Sequence, residues 1–225
     1  MKHIKFCLSL LLAITLASCA SKEDKANKLI KDYMYENLYD FESYEPMKTT
    51  IDTMYTDIRF DKEAYALALV AGDKLDKVND YLAEVRSAQT SMDIWSDSGT
   101  SYGRSKYNDA KDKCRDNLNA ARKCMREMYS AMLLILDRNE ALEQNEKGEA
   151  IGWKVGHRFR CKTKGGNSTI GEYIFVMDKD LKEVIATFDI DEEDYKAAVD
   201  FIEETLTKTK ESIQQEIDDI KEDLD

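Results

Sequence analysis

Five cations, Lys154, Arg158, Arg160, Lys162 and Lys164, fall within an eleven-residue stretch that contains no acid. In a chain of formal charge −12, that run points to a surface for an anionic partner such as an acidic glycan, a lipid headgroup or an acidic protein. The alternative is that these side chains pair with acids of a neighbouring helix. His157 and Cys161 lie in the same stretch and have the types of a thiolate–imidazole dyad. At i and i+4 of a strand, however, they stand about 13 Å apart, too far for one to activate the other. Asp178, Asp180, Asp189, Asp191, Glu192 and Glu193 have the chemistry of hard-cation ligands. The glycine and terminal glutamate of a calcium loop are missing at the required spacing, so a hairpin turn and a helix cap account for these acids more simply. No serine-nucleophile elbow, phosphate-binding loop or dinucleotide fingerprint occurs. These residues predict no catalytic group, no cofactor and no metal ligand. A hydrolase remains a weaker alternative, and it requires a cleft holding two carboxylates in mutual reach.

The elements that must position these groups follow from periodicity. Residues 26–41 have apolar side chains at helical spacing, ending before Ser43 and Pro46. Residues 47–55 alternate and are rich in threonine, which favours a strand over the competing helix through Ile51, Met54, Tyr55 and Ile58. A helical hairpin spans 61–146. Its first stripe is Ala71, Leu75, Val78, Leu82, Val85 and Met92, and its second runs from Tyr107 through Cys114, Met125, Met128 and Met132 to Leu142. The turn SDSGTSYG joins the two helices, giving a coiled-coil-like seam. The methionines read as core filling rather than a groove.

Six of the nine glycines lie between Gly148 and Gly171, marking the passage from helix to sheet. A three-stranded meander over 151–189 follows, and the expected fold is α+β with a small antiparallel sheet of three or four strands. Its first strand sets Trp153, Val155, His157, Phe159 and Cys161 on an apolar face and the cations on the other. Its second, Tyr173 to Met177, is apolar on both faces and should be central. Asp189 or Asp191 should cap one long closing helix, with a seam from Tyr195 to Leu224. His157 is expected as a partly buried, hydrogen-bonded imidazole.

At the front of the chain, Lys2 and Lys5 precede an apolar run from Phe6 that ends in Leu16-Ala17-Ser18-Cys19. This stretch resembles the lipobox of bacterial lipoprotein signal sequences. The resemblance implies cleavage before Cys19, a diacylglyceryl thioether on its sulfur and an acyl chain, such as palmitate, on its new amino group. The lipid bilayer would then be a partner through acylated Cys19. Two or three chains, at about 0.8 kcal/mol per buried methylene, anchor a protein stably where one does not. Phe6 to Ala17 is too short for a span, which needs about 20 residues. The other reading is an ordinary secretory signal with Cys19 a spectator.

Cleavage removes two lysines and no acid, leaving 31 basic residues against 45 acidic, a formal charge of −14. Such a surface repels phosphate backbones, so nucleic acid is not an expected partner. It has no overall attraction to anionic headgroups either. Cys114, Cys124 and Cys161 remain. The first two fall ten residues apart on one helix, about 15 Å, so they cannot pair with each other. Buried thiols are the simpler reading, with a bridge from Cys161 to one of them the alternative.

Ser21-Lys22-Glu23-Asp24 resembles the acidic export tract that follows the lipidated cysteine in surface-displayed lipoproteins of the Bacteroidota; otherwise it is a solvated linker. LYDFESYEP (38–46) and the block 151–180 are similar to segments of small gut Bacteroidota lipoproteins without an assigned function. That resemblance implies an outer-membrane, lipid-anchored and possibly surface-exposed address, and it supplies no catalytic residues. The expected organisation is a signal peptide over 1–18, a lipidated tether over 19–25 and one α+β domain over 26–225. The expected role is a non-catalytic binding or scaffold module of the envelope. A subunit of an envelope complex, exposing an apolar stripe along its long helices, is the alternative.

Overall fold

The structure, a computed structural model, describes residues 21–146 and 148–222; the lipobox and Cys19 lie outside them. The chain is α+β, with five helices and a four-stranded antiparallel sheet among the described residues. Its contacts divide it into two compact units, residues 21–54 with 150–189 and residues 55–149 with 190–222, a division that the reading of 26–225 as one domain does not contain.

The first unit holds helix α1 (Lys22–Asn37) and strands β1 (Glu45–Tyr55), β2 (Ala150–Lys162), β3 (Ser168–Asp178) and β4 (Val184–Asp189). The sheet order is β1-β2-β3-β4, so β2 and β3 are interior. Residues 47–55 are therefore strand. The helix begins earlier than its apolar pattern suggests, because Ser21 and Asp24 form a reciprocal capping box. The Ser21 hydroxyl accepts the Asp24 N–H at 3.1 Å, and the Asp24 carboxylate accepts the Ser21 N–H at 3.0 Å. Residues 22–25, expected as part of a tether, are the first turn of α1. The helix stops at Asn37, short of Phe41, which opens a separate 3₁₀ turn over Phe41–Ser43.

The buried stripe Ala26, Ile30 and Met34 of α1 packs on Val155, Phe159 and Cys161 of β2, Phe175 and Met177 of β3, and Leu181. Full burial of the Ile30, Met34, Val155, Phe159, Phe175, Met177 and Leu181 side chains is worth about 1.5–3 kcal/mol each. Two glycines are fixed by close approach. A Cβ on Gly152 would lie 2.1 Å from the Met177 carbonyl oxygen, and one on Gly171 would lie 2.8 Å from the Phe159 ring.

The second unit is built on a hairpin of α2 (Lys62–Trp95) and α3 (Ser101–Glu146). Asp61 caps α2 by accepting the N–H groups of Glu63 and Ala64. The buried seam of α2 is Ala64, Ala68, Ala71, Val78, Val85 and Ala88, and Leu75, expected within the stripe, stands 42% exposed. Small side chains at those positions let α3 come close. The expected single closing helix is two: α4 (Glu193–Leu206) and α5 (Lys210–Glu222). Thr205 and Thr207 turn their hydroxyls onto the carbonyls of Phe201 and Glu204, and the Thr209 hydroxyl accepts the Ser212 N–H and starts the next helix. The cap of α4 is Glu192, which makes no side-chain cap bond; Asp189 ends β4 and Asp191 precedes the cap. Ile202 of α4 packs against Ile58, Ala68 and Ile135, while Ile213 and Ile217 of α5 pack on Met132 and Leu136.

Candidate functional site

Strand β2 does bring cations to one face. Pleating sets Trp153, Val155, His157, Phe159 and Cys161 toward α1 and puts Lys154, Arg158, Arg160 and Lys162 on the opposite face, with Lys164 in the β2–β3 turn. The cations are not all alike. Arg160 reaches Glu45 of β1 at 3.2 Å, with both side chains largely exposed at 47% and 66%. Arg158 is exposed, and its cross-strand neighbour in the register is Glu172 of β3. Lys154 is half-buried opposite Val176. The Lys164 ammonium stands 5.9 Å from the centre of the Tyr39 ring, within reach of a weak cation–π attraction. Lys162 is exposed, and its backbone N–H donates to the Ser43 hydroxyl at 2.8 Å. The strand therefore gathers the five residues, with acids of β1 and β3 beside two of them.

On the reverse face His157 is buried to 1% exposure, stacked on Phe159 with ring centres 5.8 Å apart and edge-on to Phe175. Its two nitrogens are both engaged. Tyr44, at the end of the 3₁₀ turn, lies 2.7 Å from Nε2, and Thr49 Oγ1 of β1 lies 3.0 Å from Nδ1. The Thr49 hydroxyl donates to Asn27 Oδ1 of α1 at 3.0 Å. A hydroxyl has one proton to give, so Thr49 must accept from the imidazole. That assigns the proton to Nδ1 and leaves Nε2 to accept from Tyr44. Burial depresses the imidazole from the ordinary 6.5 to about 4 and pushes the Tyr44 phenol up to about 12, so both are neutral at pH 7. No lone pair remains on the ring for a metal or a proton from substrate. The chain Tyr44–His157–Thr49–Asn27 ties four elements of the first unit together.

This network borders a cleft of about 350 Å³ between α1 and β1, lined by Asn27, Lys31, Tyr44, Met47 and Thr49 among others. In the sequence, alternation marks His157 as inward-facing. Its partners, 108 and 113 residues away, carry no signal beyond being polar.

Cys114 is half-buried, Cys124 and Cys161 are buried, and all three are free thiols; burial pushes the Cys161 thiol up. Asp178 closes the β3–β4 turn, its carboxylate accepting the backbone N–H groups of Asp180, Lys182 and Glu183, with the Glu183 bond contributing most to holding it below the usual carboxylate range. Among the described residues no group of three or more His, Cys, Asp or Glu is placed to hold a metal ion, and no helix is long and apolar enough to cross a membrane. Comparison with protein-family models, curated proteins and solved structures finds no match in any of the three.

Proposed function

We propose that this chain is a lipid-anchored lipoprotein of a bacterial envelope, held by acylated Cys19 at the outer membrane, and that it serves as a non-catalytic binding module. The observation that carries the reading is the stretch Leu16-Ala17-Ser18-Cys19 behind a short apolar run with two lysines before it. The binding role takes support from the cation-bearing face of β2, where Lys154, Arg158, Arg160, Lys162 and Lys164 oppose the strongly acidic character of the rest of the chain. Acidic glycans and acidic proteins are the partners that such a face suits. Occupancy of both nitrogens of His157 supports a structural duty for that residue.

The test is chemical. Expressed in a bacterium with a lipoprotein-processing system, the protein should yield an amino-terminal peptide beginning at Cys19 and heavier by a diacylglyceryl group and an acyl chain. Cys19→Ala should leave residues 1–18 attached and the chain without the lipid mass, read by the same measurement. An unmodified sulfur in the wild type, or an alanine variant still cleaved before residue 19, refutes the anchor.

A further inference from the structure

A second group of cations lies within the first unit, apart from the cation-bearing face of β2. Helix α1 carries Lys22, Lys25 and Lys28 at steps of three, and the β3–β4 turn carries Lys179 and Lys182. Together they line two adjoining clefts of about 440 and 400 Å³ that share Lys25, Asp180, Leu181 and Lys182. Among the described residues the acids that line these clefts are Asp32 and Asp180, and Asp180 is already tied to Lys182 at 2.6 Å. The Asp24 carboxylate on the same helix is turned back into the cap on Ser21. Between the two sets of lysines stands Trp153, its indole N–H donating to the Lys179 carbonyl at 3.0 Å and its ring 4.0 Å from the Lys22 ammonium. A locally positive cradle around a half-exposed indole is thus built into a strongly acidic protein.

Its place in the chain gives it a partner. Lys22 follows Cys19 by three residues, a span of at most about 11 Å when fully extended. Whatever surface holds Cys19 lies within roughly a Debye length of Lys22, about 10 Å at 0.1 M salt, and Lys25, Lys28, Lys179 and Lys182 line the same pair of clefts. Lysines that near an anionic leaflet are drawn to it, and tryptophan favours the headgroup level, where one edge is apolar and the other wet. We propose that Lys22, Lys25, Lys28, Lys179 and Lys182, with Trp153 among them, seat against the phosphate-bearing headgroups of anionic lipids around the anchor. This inference rests on the lipid anchor proposed above. It adds an orientation: the α1 amino end and the β3–β4 turn face the bilayer.

The experiment replaces the natural anchor, so that its result does not depend on acylation. The mature chain from Ala20 onward, with an amino-terminal hexahistidine tag, is held on vesicles doped with nickel-chelating lipid. Trp95→Phe leaves Trp153 as the sole tryptophan, and brominated acyl chains serve as quencher. Quenching of Trp153 should be about twofold stronger on vesicles containing phosphatidylglycerol than on phosphatidylcholine alone, and the difference should vanish at about 1 M salt, where the Debye length is about 3 Å. K22Q/K25Q/K182Q should abolish the difference. K106Q/K111Q/K123Q, an equal loss of charge on α3, should preserve it. Equal quenching on the two kinds of vesicle, or equal loss in both triple variants, overturns the proposal. The mass of the natural amino-terminal peptide tests the anchor separately.

Discussion

His157 shows how much a single side chain can depend on residues remote in the chain. With its imidazole held near 4 by burial and the unfolded value at 6.5, the unfolded state binds more protons than the folded one between those limits. Acid therefore favours unfolding. The contribution of the neutral ring is whole above pH 6.5 and is lost as pH falls through about 4, a loss of about 3 kcal/mol at 1.36 kcal/mol per pKa unit. Urea unfolding of the wild type and His157→Gln across this range should show the gap in stability narrowing by about that amount on acidification. Carboxylates common to both proteins, such as Asp24 and Asp178, cancel in the difference. A gap that stays constant with pH would show that the ring does not titrate in this window. Alternation made the inward direction of His157 readable from the sequence. The tautomer was not readable, because it depends on the Thr49 proton going to Asn27, and no local pattern encodes an encounter between a helix, a turn and two strands.

Asp61 performs two tasks at the scale of an element. It caps α2, and its other oxygen receives Arg138 of α3, with Nη2 at 2.7 Å and Nε at 3.2 Å. Capping alone is worth about 1 kcal/mol, and an ion pair with one partner nearly buried adds about as much again. Asp61→Ala should therefore cost about 2 kcal/mol, and Asp61→Asn, which keeps the cap and drops the charge, about half of that, read as shifts in urea midpoint at constant slope. Equal losses in the two variants would mean that the cap contributes nothing. Short-range signals mark other helix ends as well. Ser21 with Asp24 three residues later is a capping box, and Thr209 is a cap ahead of Ile213. The first precedes the apolar pattern of its helix, and the second was masked by apolar spacing that runs through the break, since Leu206 and Ile213 stand one heptad apart. Leu75 shows the reverse failure: its spacing fits the hairpin seam, but the alanines beside it carry the close contact and leave it outside.

Across the whole molecule, the decisive contrast is between an acidic chain and the small basic areas set on its sheet unit. The α+β class was legible because the hairpin patterns are long and because six glycines announce the sheet. The division into two units was not, since the first is assembled from stretches separated by nearly a hundred residues and no linker composition marks the boundary. On the β2 face, the Arg160–Glu45 pair is exposed on both sides, so it stabilises the fold by under about 1 kcal/mol and exchanges readily for another anion. Arg158→Gln with Arg160→Gln should accordingly leave the melting temperature within a degree or two while weakening retention on immobilised polygalacturonate at least about tenfold at low salt. The wild type should itself elute earlier as salt rises, because the attraction is between solvent-exposed charges. If the double variant is retained like the wild type, the anion-binding role of this face is wrong. If instead it loses several degrees of stability together with retention, the two arginines hold β1 and β3 to β2, and the basic face is structural.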